Sequence, residues 1–148
     1  MSYTDRIPSI LNEYDPTQQQ VEALIDAMTL AMVSEGEVPD KERRELEEAL
    51  DQLDRQDGAR LERYVESSLE ASREVIESNT VRERVASVSD RLDDDRLREE
   101  AYFLGARITA IDAEVVSDET DVLTTFVDVF EIPRDRLKLL TRKLRTQL

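Results

Sequence analysis

Two short acidic turns hold the residues of this chain best suited to chemistry. The first reads Glu35-Gly36-Glu37-Val38, followed by Asp40 and Glu42, and the second reads Asp112-Ala113-Glu114-Val115, followed by Asp118 and Glu119. Each has the form acid, small residue, acid, Val, with a closing Glu placed to open the next helix. The Gly or Ala allows a sharp turn, and the Val anchors the loop to a core. Two to four carboxylates gathered on one loop are what a hard cation such as Ca²⁺ or Mn²⁺ needs, with backbone oxygens and water completing its shell. The second turn is the stronger candidate, because Lys41 brings a positive charge where the second copy has Asp118.

The loops are not EF-hands. Aligned on the small residue and the final Glu, the first two ligand positions fall on Ala31 and Val33, and on Ile108 and Ala110 in the second copy. None of these side chains can bind a metal. The alternative reading is structural, since acids at a helix N-terminus are ordinary caps and dipole partners.

Other catalytic chemistry finds little material. The sequence has no His, which removes Ser-His-acid activation and the Glu-x-x-His motif of di-iron bundles, and no Cys, which removes thiol nucleophiles and thiolate metal sites. No Gly-rich phosphate loop is present. One enzymatic alternative survives, a helical Mg²⁺-dependent nucleotide pyrophosphohydrolase, for which Glu45/Glu48 and Glu74/Glu77 have the Glu-x-x-Glu spacing. In so acidic a chain that spacing also describes a solvated helix face.

The elements that must position these turns are helices. With 3 Gly and 4 Pro in 148 residues, most segments repeat their apolar residues at helical spacing. A short helix is expected over Thr4 to Tyr14. Asp15-Pro16 reads as a cap and first-turn proline opening the next, which carries Val21, Leu24, Ile25, Met28, Ala31 and Met32 on one face. Further helices bury Leu46, Ala49, Leu50 and Leu53, then Leu61, Val65, Leu69 and Ser72, then Val85, Val88 and Leu92. Asp93-Asp94-Asp95 suits the start of another, with Leu97, Ala101, Leu104, Ile108 and Ile111 inward. Val122, Phe126 and Phe130 mark the next, and Pro133 opens a last one with Leu137, Leu140 and Leu144. Tyr64, Tyr102 and Phe103 read as core. The fold class is all-α, a bundle of seven to eight helices forming a single domain over residues 1–148.

The halves of the chain repeat. A shift of 77 residues lays Leu24, Ala27 and Ala31 on Ala101, Leu104 and Ile108, and Leu46, Ala49, Leu50 and Leu53 on Leu123, Phe126, Val127 and Phe130. The same shift superposes the two acidic turns. Any two amphipathic helices align in some register, but a shared acid–small–acid–Val turn at that offset is far more specific. The expectation is two helix–turn–helix units, residues 17–55 and 94–132, related by a pseudo-twofold axis and linked by the helices of residues 59–92.

Charge narrows the partners. Against 20 basic residues stand 35 acidic ones, a net charge of −15. Nucleic acid is not an expected partner, since a phosphate-binding domain needs a basic stripe to release counterions. Cations or basic protein surfaces are. The basic residues are Arg except at Lys41, Lys138 and Lys143, and acids are spread along every segment. That composition also resembles the salt-adapted proteins of halophiles. No apolar run is long enough to span a bilayer, and the N-terminus lacks the pattern of a secretory signal, so a cytoplasmic location is expected. The last helix is the exception to the acidity, with Arg134, Arg136, Lys138, Arg142, Lys143 and Arg145. It either pairs with the acidic body or offers a contact to an acidic partner or a membrane surface, where peripheral association is open.

The two units together resemble the TerB-like family, named for tellurite resistance. The resemblance rests on Ala31-Met32-Val33-Ser34-Glu35-Gly36-Glu37-Val38 with Glu42, and on Ile108-Thr109-Ala110-Ile111-Asp112-Ala113-Glu114-Val115 with Glu119, and it spans residues 20–140. It implies a compact helical bundle whose two units face each other. It further implies association with tellurite and stress resistance, with divalent-cation binding, and with the membrane-proximal part of some J-domain co-chaperones. Two departures stand out: Glu35 where the family usually has Asp, and Ala113 where it usually has Gly. The resulting expectation is a non-enzymatic, cation-binding module of a larger assembly with protein partners, the alternative being a scaffold or co-chaperone-type interaction domain without metal.

Overall fold

Eight helices and no strand make up the described part of the protein. The computed structural model describes residues 6–34, 40–51, 58–110 and 120–147. In chain order the helices are α1 Arg6–Tyr14, α2 Gln18–Ser34, α3 Asp40–Asp51, α4 Gly58–Ser78, α5 Val81–Leu92, α6 Asp95–Ala110, α7 Thr120–Phe130 and α8 Arg134–Gln147.

Helix starts follow local chemistry. Thr17 and Gln20 form a reciprocal capping box at the head of α2: the Gln20 amide donates to Thr17 Oγ1 at 3.2 Å, and the Thr17 amide donates to Gln20 Oε1 at 2.9 Å. The cap is therefore Thr17 rather than Asp15, which the sequence suggests. Asp15 instead lies at φ 44° and closes α1, its amide donating to the Leu11 carbonyl at 3.2 Å. A Thr-x-x-Gln box satisfies two orphan amides at once, and it outcompetes the single acceptor that Asp15 would offer. The Asp93-Asp94-Asp95 run divides its labour. Asp93 turns left-handed to close α5, and Asp94 Oδ1 caps α6 by accepting from the amides of Arg96 at 2.8 Å and Leu97 at 3.1 Å. Asp95 sits in the first turn, where its charge meets the helix dipole.

The core is organised around α2. All residues from Ala23 to Val33 are buried, so this stretch of the helix has no solvent face, where the sequence pattern suggested one apolar face. It packs on α4, α5 and α6, most of them distant in sequence, while α3 packs on α4 and α7 on α5 and α6. A helix apolar all round is stable only when neighbours surround it. The inward residues of the other helices join it: Leu46, Leu61, Val65, Leu69, Val85, Val88, Leu92, Leu97, Ala101, Leu104, Ile108, Val122, Phe126 and Phe130 are all buried. Each large side chain among them contributes about 1.5–3 kcal/mol by leaving water. Phe126 and Phe130 stack in parallel, ring centroids 5.3 Å apart. Of the other inward residues named above, Ala49, Leu50, Leu53 and Ile111 lie outside the described side chains.

Gln18 and Asp95, the first residues of α2 and α6, stand at the offset of the sequence repeat, whereas α3 and α7 begin at Asp40 and Thr120, three residues further apart. The two long helices pack against each other. Gly105 of α6 faces both Ala31 of α2 and Phe126 of α7: a Cβ there would lie 3.0 Å from Phe126 Cε2 and 3.6 Å from Ala31 Cβ.

Candidate functional site

The two acidic turns join α2 to α3 and α6 to α7. Glu35, Glu37, Asp112, Glu114, Asp118 and Glu119 lie outside the described residues, as does the side chain of Glu42 within α3. Asp40 is described: it is the first residue of α3 and is exposed. Among the described residues no three acidic side chains come together in a way that could hold a metal ion. That includes Glu45 and Glu48 on α3 with Glu74 and Glu77 on α4, the carboxylates a pyrophosphohydrolase would need to assemble.

The strongest polar constellation lies in the interior, around Asp26, a residue the sequence reading passed over, and it includes Tyr64 and Ser72, which that reading placed in the core. Asp26, midway along α2, is fully buried. Its carboxylate accepts four hydrogen bonds, two on each oxygen. Ser68 Oγ at 2.6 Å and Arg84 Nη2 at 2.9 Å donate to Oδ1, and Tyr64 Oη at 2.9 Å and Arg91 Nη2 donate to Oδ2. That fills the acceptor capacity of an ionised carboxylate. A hydroxyl relay continues from it: Thr29 Oγ1 lies 2.6 Å from Ser68 Oγ and 3.1 Å from Ser72 Oγ. Since the Ser68 proton is committed to Asp26, Thr29 donates to Ser68, sharing its proton with the Asp26 carbonyl at 3.2 Å, and Ser72 donates to Thr29.

The donors come from two helices. Tyr64 and Ser68 are one turn apart on α4, and Arg84 and Arg91 are two turns apart on α5, so the carboxylate ties α2, α4 and α5 together at one point. Burial raises the Tyr64 hydroxyl above its usual pKa of 10.0, and the Asp26 charge adds to the effect. The Arg91 guanidinium is also raised: burial works against its charge, but the bond to Asp26 and the attraction of that carboxylate prevail. With side chains 21% and 23% exposed, Arg84 and Arg91 reach the cluster from the rim, while Asp26 has no route to water. A sealed and saturated carboxylate like this fixes helix packing. It has no acceptor left for a ligand.

A smaller clasp holds α1. Arg6 donates to Glu100 of α6 through Nε at 3.1 Å and through Nη2, and the same carboxylate receives Tyr14 Oη at 3.5 Å. The Arg6 pKa is raised, chiefly by its bond to Glu100. Burial, then the Glu100 charge, raises that of Tyr14.

The electrostatic outlier on the surface is α8. Leu140 is buried, and Leu137 and Leu144 pack against the core, which turns the cations outward. Arg136 Nε donates to Glu99 at 2.7 Å, and Lys143 Nζ lies 5.6 Å from the centre of the Phe103 ring. Arg134, Lys138 and Arg142 are exposed and make no ion pair with another described residue. Together with half-buried Leu137 and Thr141 they make up one open face of α8. Among the described residues, pairing with the acidic body thus accounts for only part of the basic face. Among the described residues, no helix is long and apolar enough to cross a membrane.

No protein-family model, curated protein or solved structure matches the chain.

Proposed function

We propose that the chain is a non-enzymatic binding module of the TerB-like kind, which takes Ca²⁺ or Mn²⁺ on the acids of its two interhelix turns as part of a larger assembly. The observation that carries this reading is the duplicated acid–small–acid–Val turn at the α2–α3 and α6–α7 junctions. The long helices that lead into those junctions pack side by side, in keeping with two related units. Carboxylates crowded on a loop repel one another, so a cation that binds only the folded protein stabilises it by mass action. At about 1 mM, Ca²⁺ or Mn²⁺ is expected to raise the melting temperature by roughly 2–5 °C. Asp112→Asn with Glu119→Gln is expected to abolish that rise while leaving the helical circular dichroism intact. A double mutant that responds to metal like the parent would identify the turn acids as caps.

The second reading is an interaction domain without metal, and Asp40 favours it. As the exposed first residue of α3, it sits where a carboxylate is ordinary company for a helix N-terminus. Calorimetry at low ionic strength separates the two readings, because the capping alternative gives no binding heat with either metal.

A further inference from the structure

Helix α8 carries cations that pair with no other described residue. Arg134, Lys138 and Arg142 recur every four residues, which places them along one face over about 12 Å of helix. They stay unpaired among the described residues, while Arg136 of the same helix pairs with Glu99. Beside them Leu139 is 49% exposed, the one large hydrophobic side chain so exposed among the described residues. Half-buried Leu137 and Thr141 lie along the same face of the helix.

We propose that this face of α8 docks an acidic segment of a partner protein. Carboxylates of the segment would meet Arg134, Lys138 and Arg142, and an apolar side chain would sit over Leu137 or against Leu139. Guanidinium groups suit carboxylates because they can bond both oxygens at once. At physiological ionic strength charges more than about 8 Å away are screened, so the acidic body does not cancel the attraction at contact range. A bilayer is a poorer occupant. The apolar side of α8 faces the core, so only Leu139 is left to insert, and a flat anionic surface would meet the −15 body as well. Duplex nucleic acid calls for a longer array of phosphate contacts than three side chains give. The docking face does not depend on the cation reading and stands or falls separately.

Fluorescence anisotropy with a labelled synthetic peptide of Glu and Asp residues carrying two Leu four apart tests the proposal. Binding is expected at low salt, weakening as KCl rises. The triple variant Arg134→Glu, Lys138→Glu, Arg142→Glu is expected to lose affinity at least about tenfold. These side chains are exposed, so its circular dichroism should match the parent, with melting somewhat lower because the variant is more negative. Arg134→Lys with Arg142→Lys should retain most of the binding, and Arg136→Gln, which alters an already paired cation, should retain nearly all. Absence of peptide binding at low salt, or equal affinity in the triple variant, overturns the proposal. Tighter binding to phosphatidylserine vesicles or to a DNA duplex than to the peptide would overturn it in favour of those occupants. A dimer in sedimentation equilibrium that the triple variant loses would overturn it in favour of a second copy of the chain.

Discussion

Asp26 is the residue on which most of the interior polarity converges. Taking a carboxylate out of water costs several kcal/mol, and what offsets that cost is four donors in good geometry, two of them cationic. Removing the charge while leaving the arginines in place breaks the compensation from one side. Asp26→Asn is therefore expected to lower unfolding free energy by about 3 kcal/mol, the low end for a broken buried pair. Arg84 and Arg91 can partly rehydrate through their exposed rims. Urea denaturation measures it, and a loss below about 1 kcal/mol would mean the network is weaker than its geometry implies. The sequence did hold a signal for this residue: within Ala23–Val33 it is the lone charged side chain. It went unread because apolar periodicity scores the residues that match a face and is silent about the one that does not. The arginines could not have been picked out, since nothing local distinguishes Arg84 and Arg91 from their solvated neighbours on α5.

Helix boundaries were the most legible level. Turn chemistry is local, so the Asp93–Asp95 run and Pro133 each mark real junctions. Four helices close with a non-glycine residue at positive φ: Asp15, Asn79, Asp93 and Glu131. After α4 and α7 the closure is a Schellman pair, with Thr80 donating to Val75 at 2.8 Å and Ile132 to Val127 at 3.1 Å. A search for C-terminal glycines finds none of these four ends. The all-round burial of α2 was also not legible, because it depends on how many helices gather about it. Gly105 illustrates that dependence. In an isolated helix Gly→Ala would stabilise by about 1 kcal/mol. Here the new methyl would meet Phe126, which is fully buried and stacked on Phe130. Overpacking costs about 1–3 kcal/mol, so Gly105→Ala is expected to destabilise, and thermal or urea unfolding will give the sign. A more stable variant would show that the Phe126 ring has room to move.

Across the whole molecule the governing quantity is the charge of −15. Self-repulsion destabilises the compact state and salt relieves it. Salt also weakens exposed pairs such as Arg82–Asp128 and Arg43–Glu66, but each of these is worth at most about 1 kcal/mol. Relief should win, and the melting temperature is expected to climb by roughly 5–10 °C between low and molar KCl. A melting temperature flat across that range would reject salt adaptation as the reason for the acid excess. Composition made the acidity plain, and the spacing of apolar residues gave the helical class. It could not say which cations remain unpaired, because pairing depends on which helices become neighbours.

The central position of α2 has a consequence for how the chain is made. A ribosome delivers this helix early, ahead of α4, α5 and α6, the three that cover it. Until α6 has emerged, a stretch of eleven residues built to be buried on every side has only part of its cover, with Asp26 waiting for arginines that arrive about sixty residues later. Surface of that kind, exposed on a nascent chain, invites premature association. The acids that crowd the rest of the sequence are then useful before folding is complete, because like-charged nascent chains keep one another at a distance while α2 stands uncovered.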